Sequence, residues 1–108
     1  MKNYKMIVEY DGSRYYGWQR QPGQSTIQGK LEGVLSVLCG REVEVTGAGR
    51  TDAGVHARGM TANAYLDTSL SPEEIRDYLN RYLPDDIAVR EVREASPRFH
   101  ARYNAIGK

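Results

Sequence analysis

The sequence predicts an α+β fold with elements in the order βαββαβ: one antiparallel four-stranded sheet with two helices on one face. Three observations predict it. Apolar residues alternate along Lys2–Asp11, as on a half-buried strand. Two later stretches open with helix-start residues and continue with apolar residues at helical spacing. Short runs at Glu42–Thr46, Met60–Leu66 and Ile87–Val92 supply the remaining strands.

In the first strand Tyr4, Met6, Val8 and Tyr10 share one face, with Lys5, Ile7 and Glu9 on the other. Asp11-Gly12 ends it as a turn pair. Residues 13–24 form a loop carrying Arg14, Tyr15, Tyr16, Trp18 and Arg20. Ser25, with Gln28 three residues on, has capping-box spacing and predicts a helix start. Ile27, Leu31, Val34, Leu35 and Leu38 make its buried stripe, and Gly40 stops it. Glu42–Thr46 is the second strand. Residues 47–59 are a loop in which four of thirteen residues are glycine. Met60–Leu66 is the third strand. Ser71-Pro72-Glu73-Glu74 starts the second helix, with Ile75, Leu79, Tyr82 and Leu83 on its apolar side and Pro84 ending it. Ile87–Val92 is the fourth strand, Ser96-Pro97 a turn, and Phe99–Lys108 the start of an unfinished extended tail. This order is the ferredoxin-like pattern, a scaffold that hosts many functions.

At 108 residues the chain is one domain. No apolar run approaches the ~20 residues of a membrane helix, and the N-terminus has no signal-peptide core, so a cytoplasmic location is expected. The single cysteine, Cys39, excludes an internal disulfide framework and is expected to be a small buried hydrophobe. Two histidines, His56 and His100, leave little for a transition-metal site. The net charge of +1 is unevenly spread: residues 1–66 carry +2, 67–94 carry −4 and 95–108 carry +3. Eleven of the fifteen basic residues are Arg, whose planar fork grips phosphate.

The glycine-rich loop is not a phosphate motif of a familiar kind. The sixth position of a dinucleotide fingerprint falls on Asp52, and no Gly-Lys-Ser/Thr is present. What remains is Asp52 among glycines and cations: Arg50, His56 and Arg58. Opposite charges keep a carboxylate ionised, as attack on an electrophilic carbon requires. On spacing alone Asp52 could equally cap a turn, with Arg50 as its surface partner.

The full string Gly49-Arg50-Thr51-Asp52-Ala53-Gly54-Val55-His56-Ala57 resembles the signature of the tRNA pseudouridine synthase A family, whose aspartate is catalytic. Tyr10-Asp11-Gly12 with residues 16–21, Thr26-Ile27-Gln28-Gly29 with Leu31-Glu32, Leu79-Asn80 with Leu83-Pro84 and Asp86-Ile87, and Phe99–Tyr103 resemble further blocks of that family, in its order. The resemblance implies isomerisation of uridines in the anticodon stem–loop of tRNA to pseudouridine by a homodimer, with no cofactor and no metal. It implies Asp52 as the catalytic carboxylate; Arg50, two residues before it, is the cation expected to orient that carboxylate and keep it ionised. Arg14, Arg20, Arg98, His100 and Arg102 are the candidate RNA contacts. Trp18 and Tyr16 are expected to pack rather than stack on bases; His56 either contacts RNA or fills the loop, the structural part being favoured, and Arg58 is left without a role. Family members are longer, with a second domain and a base-stacking tyrosine beyond the point matching Lys108. The chain is therefore expected to be the N-terminal domain of a two-domain enzyme, inactive alone. The competing reading is a non-catalytic RNA-binding or dimerisation module. For the RNA-binding version, Met60–Leu66 lacks the aromatic pattern by which such sheets read RNA.

Overall fold

A computed structural model describes residues 1–106 and gives the strand order β2-β3-β1-β4, antiparallel throughout. The strands are β1 (Lys2–Tyr10), β2 (Val45–Gly47), β3 (Ala57–Leu66) and β4 (Ile87–Ala95). Helix α1 spans Ile27–Cys39 and α2 spans Pro72–Tyr82; they touch each other on one face of the sheet. The ferredoxin-like expectation holds for these six elements.

The core is the face the alternation marks. Tyr4, Met6, Val8 and Tyr10 of β1 meet Ala62 and Ala64 of β3, Val89 and Val92 of β4, Ile27, Leu31 and Leu35 of α1, and Ile75 and Leu79 of α2, all buried. Val34, Leu38 and Cys39 are half-buried against it. α2 begins as predicted, with a reciprocal capping box between Ser71 and Glu74 and Pro72 in its first turn. α1 begins one residue later than expected: Thr26, not Ser25, caps it, its hydroxyl accepting from the Gly29 N–H. Gln28 is thereby released for other bonds. α1 ends at Gly40 in the left-handed conformation (φ 67°). Tyr82 lies off the apolar side, 56% exposed and tilted against Tyr78, while Leu83 turns inward.

The strands differ from expectation at their ends. β2 is shorter and later than Glu42–Thr46, because Val45 is held on its outer edge by side chains of α1. β3 and β4 run three residues further than predicted, at the N-terminal and C-terminal ends respectively, because β1 offers partners along its whole length. Pairing with β3 is irregular between Val8 and Tyr10: two steps on β1 face three on β3, from Met60 to Ala57, so the extra residue sits on β3 where that strand leaves the glycine-rich loop.

The extended tail is a correction. Ala101–Ile106 is a short helix, α3, and Gly107 and Lys108 lie outside the described residues. Its placement comes from two buried asparagines on the sheet face opposite α1 and α2. Asn3 Nδ2 donates to the carbonyls of Ser96 (2.8 Å) and Phe99 (2.9 Å), and Asn3 Oδ1 accepts from Asn63 Nδ2 (3.1 Å). Asn63 Oδ1 accepts the Ala101 N–H (2.9 Å), the first amide of α3. Buried polar groups left unpaired cost free energy. Asn3→Ala is therefore expected to lower stability by about 2–3 kcal/mol in urea unfolding; a loss below about 0.5 kcal/mol would mean that water replaces the amide. Among the described residues, no helix is long and apolar enough to cross a membrane.

Candidate active site

Residues 48–56 join β2 to β3 and are held by main-chain bonds that leave the Asp52 side chain outside. Ala48 N–H donates to Thr61 O (2.8 Å), Trp18 N–H to Thr51 O (3.1 Å) and Gly54 N–H to Tyr15 O (3.1 Å). Within the loop, Val55 N–H donates to Asp52 O (3.1 Å) and Gly54 takes φ 80°. The Tyr10 hydroxyl and Thr51 Oγ1 are 2.7 Å apart. Burial raises the Tyr10 pKa against the lowering effect of that bond.

Residues 12–18 form the other half of the brace, and glycines let the two loops meet. A Cβ on Gly17 (φ 91°) would lie 2.4 Å from Thr51 O, and one on Gly47 2.6 Å from the Trp18 indole. Trp18 is buried and tilted against Tyr10, with ring centroids 6.2 Å apart. The packing expected of Trp18 is observed; Tyr16, by contrast, is exposed.

Asp52 is exposed, and among the described residues its carboxylate accepts no hydrogen bond and joins no ion pair. The structure does not bring Arg50 into an ion pair with it. Arg50 instead lines a cleft of about 360 Å³ with Trp18, Arg20, His100, Arg102 and Tyr103. Three of the five candidate RNA contacts (Arg20, His100 and Arg102) thus converge beside Arg50. His100 and Tyr103 stack at 4.2 Å, and Tyr103 is largely exposed.

The wall of this cleft is a polar network missed by sequence reasoning. Glu32, almost buried, accepts from Arg20 Nη1 (2.7 Å), the Val45 N–H (2.9 Å) and Gln28 Nε2 (3.2 Å). Gln28 Nε2 also donates to Val45 O (2.8 Å), and its Oε1 accepts the Arg20 N–H (2.7 Å). Gln28 and Glu32 thereby pair the outer edge of β2 and fix where Arg20 emerges. A glutamate one position from the apolar stripe of α1, four residues after a glutamine, is the one signal the sequence offered.

The other two candidates are elsewhere. Arg98 is an exposed residue of the turn after β4, its N–H on Ser96 Oγ (3.2 Å). Arg14 grips Asp86 Oδ2 through Nε (3.0 Å) and Nη2 (2.7 Å), while the Tyr15 hydroxyl donates to Asp86 Oδ1 (2.6 Å). Burial works to raise the Asp86 pKa, but the bonds from Tyr15 and Arg14 outweigh it, and the net shift is downward. Burial, then the bond to the Asp86 carboxylate, pushes the Tyr15 hydroxyl up to about 12.

The folded chain thus holds the Tyr15 proton more tightly than the unfolded chain does. That stabilisation is complete below about pH 10 and is lost as pH rises towards 12. Asp86 acts in the opposite sense: its contribution is present above about pH 4 and lost as pH falls further. Urea midpoints of wild type should therefore fall between about pH 10 and 12 more steeply than those of Tyr15→Phe; parallel curves would remove Tyr15 as the cause.

His56 lines a second cleft of about 420 Å³, with Glu9, Asp11, Arg58, Asp85 and Asp86. Among the described residues, no cluster of three or more His, Cys, Asp and Glu side chains is placed to hold a metal ion.

The site is an exposed carboxylate on a braced glycine-rich loop, beside an arginine-lined cleft. A family model described as tRNA pseudouridine synthase matches residues 6–104. The chain is 56% identical to tRNA pseudouridine synthase A of a Bacillus species over 109 aligned residues, covering 100% of this chain and 45% of that protein. It is 50% identical to tRNA pseudouridine synthase A 2 of Bacillus cereus, covering 100% of this chain and 44% of that protein. It is 45% identical to tRNA pseudouridine synthase A of Acetivibrio thermocellus, with coverage of 100% and 44%. The chain belongs to the tRNA pseudouridine synthase A family, and it spans less than half the length of these relatives.

Proposed function

We propose that this chain carries the catalytic carboxylate of a cytoplasmic enzyme that isomerises uridines in the anticodon stem–loop of tRNA to pseudouridine. The observation that carries the reading is the Asp52 carboxylate, presented to solvent by a loop whose main chain is hydrogen-bonded to its neighbours. A uridine inside a stacked stem is out of reach, so the base leaves the stack before Asp52 acts on it. The glycosidic carbon–nitrogen bond breaks, the uracil turns, and the same ribose carbon bonds to C5. The C5 proton then leaves and the freed ring nitrogen takes one up, so that the product is an isomer of the starting uridine. Nothing is oxidised or hydrolysed, so the reaction calls for no cofactor. Arg50, which lines the neighbouring cleft and makes no ion pair with Asp52 in this structure, is assigned to orienting Asp52 once tRNA is bound and to drawing the base out.

The arginine-lined cleft supports a phosphate track. One Arg20 nitrogen is committed to Glu32, and the half-exposed guanidinium keeps further donors for a phosphate. Removing Arg20 and Arg102 together is expected to flatten log affinity against log salt by about 1.5 in slope; an unchanged slope would take both off the track.

We also propose that the enzyme acts as a homodimer and that the chain is inactive alone, the remaining length of its relatives supplying the other wall of the cleft. The test is tritium release from tRNA labelled at uracil C5 by the complete gene product. Release supports the reading. Binding without release leaves an RNA-binding module.

A further inference from the structure

His56 reaches back from the end of the Asp52 loop to the turn after β1. Its Nδ1 lies 2.9 Å from the Gly12 amide nitrogen and 3.1 Å from Asp11 Oδ1. One imidazole nitrogen holds either a proton or a lone pair, so it serves only one of these partners. The surroundings decide which. Asp11 Oδ1 already accepts the Ser13 N–H (2.9 Å) and the Ser13 hydroxyl (2.7 Å). Gly12 is buried, and His56 is the sole acceptor for its N–H among the described residues. Acceptance of the Gly12 N–H requires a bare Nδ1, with the ring proton on Nε2.

Gly12 is also the surface on which the Asp52 loop rests. A Cβ there would fall 1.9 Å from Val55 O. Val55 in turn donates its N–H to Asp52 O. The chain of contact runs from His56 to Gly12, to Val55 and to Asp52.

We infer that His56 is a positioning residue: by accepting the Gly12 N–H it locks the β1 turn under Val55 and fixes the height of the loop that presents Asp52. It touches no reacting atom. Its effect on turnover rests on the synthase reading above; the bond itself does not.

The experiment has two arms. On this chain at about pH 8, where imidazoles are neutral, nitrogen NMR of His56 is expected to show a bare Nδ1 and a protonated Nε2. The Gly12 amide should exchange about tenfold more slowly than in His56→Ala. Asn carries its Oδ1 at the same bond distance from Cα as Nδ1, so His56→Asn should keep the slow exchange. In the complete gene product, His56→Ala should lower kcat for tritium release about tenfold, with tRNA affinity within about twofold, and His56→Asn should restore most of it.

A proton on Nδ1, or equal Gly12 exchange in wild type and His56→Ala, overturns the bond. Accelerated exchange with unchanged kcat overturns positioning, as does an equal kcat loss in His56→Asn. If wild type itself releases no tritium, the synthase reading fails, and with it the effect on turnover, while the spectra and exchange rates still decide the bond.

Discussion

Asp52→Asn in the complete gene product is expected to cut tritium release by at least about a thousandfold while tRNA affinity changes by less than about threefold. The substitution keeps the shape of the side chain and removes its charge and nucleophilicity. The structure makes this a clean test. Asp52's carboxylate has no partner among the described residues, and its loop is held by Trp18, Tyr15 and Thr61 through main-chain bonds. Asn therefore removes no bond that supports the fold, and the urea midpoint should move by no more than about 0.5 kcal/mol in equivalent stability. A turn-capping aspartate behaves differently: its replacement costs stability, and affinity and turnover fall together. That outcome would falsify the catalytic assignment. Arg50→Ala, run beside it, should lower turnover too, since an exposed carboxylate depends on a nearby cation for orientation at the moment of attack.

What the sequence revealed and what it hid divide along the range of the interactions. β1 is legible because one strand's alternation is a local pattern; α2 is legible because Ser71, Pro72 and Glu74 signal within one turn. The Asp52 loop is legible as a string, because its glycines and charges are contiguous. Arg14 shows the limit. Nothing near it in sequence predicts Asp86, 72 residues away, which occupies its guanidinium and draws it out of the cleft. The tail is a second case. α3 is too short for helix propensity to announce it, and its first amide is paired by Asn63, on a strand that reads from sequence as merely alternating. Gln28 is a third: its spacing from Ser25 suggested a capping box, but its amide is used by Val45 across the helix–sheet interface. Arg50's place beside Arg20 and Arg102 likewise required the fold, since β2 and α3 are brought together across β3.

Gly17→Ala is expected to disable the site without touching any group that performs chemistry. Two effects add at this position. A residue with a Cβ is strained at φ 91°, by about 1–2 kcal/mol. The new Cβ would also lie 2.4 Å from Thr51 O and 3.2 Å from the Asp52 carbonyl carbon, both main-chain atoms with no rotamer to swing aside. The loop must therefore retreat by on the order of 1 Å, stretching the adjacent Trp18 N–H to Thr51 O bond. We expect a stability loss of about 3 kcal/mol and a turnover loss of about a hundredfold, the usual cost of misplacing a reacting group by 1 Å. Gly23→Ala is the matched control. Its φ is 74°, but nothing lies within 4 Å of the added Cβ. It should show the backbone strain alone, with turnover unchanged. If the two variants lose the same stability and Gly17→Ala turns over normally, the close approach of the two loops does not hold Asp52 in place. If Gly17→Ala loses turnover beyond its loss of stability, with tRNA affinity kept, the brace is what sets the position of the carboxylate.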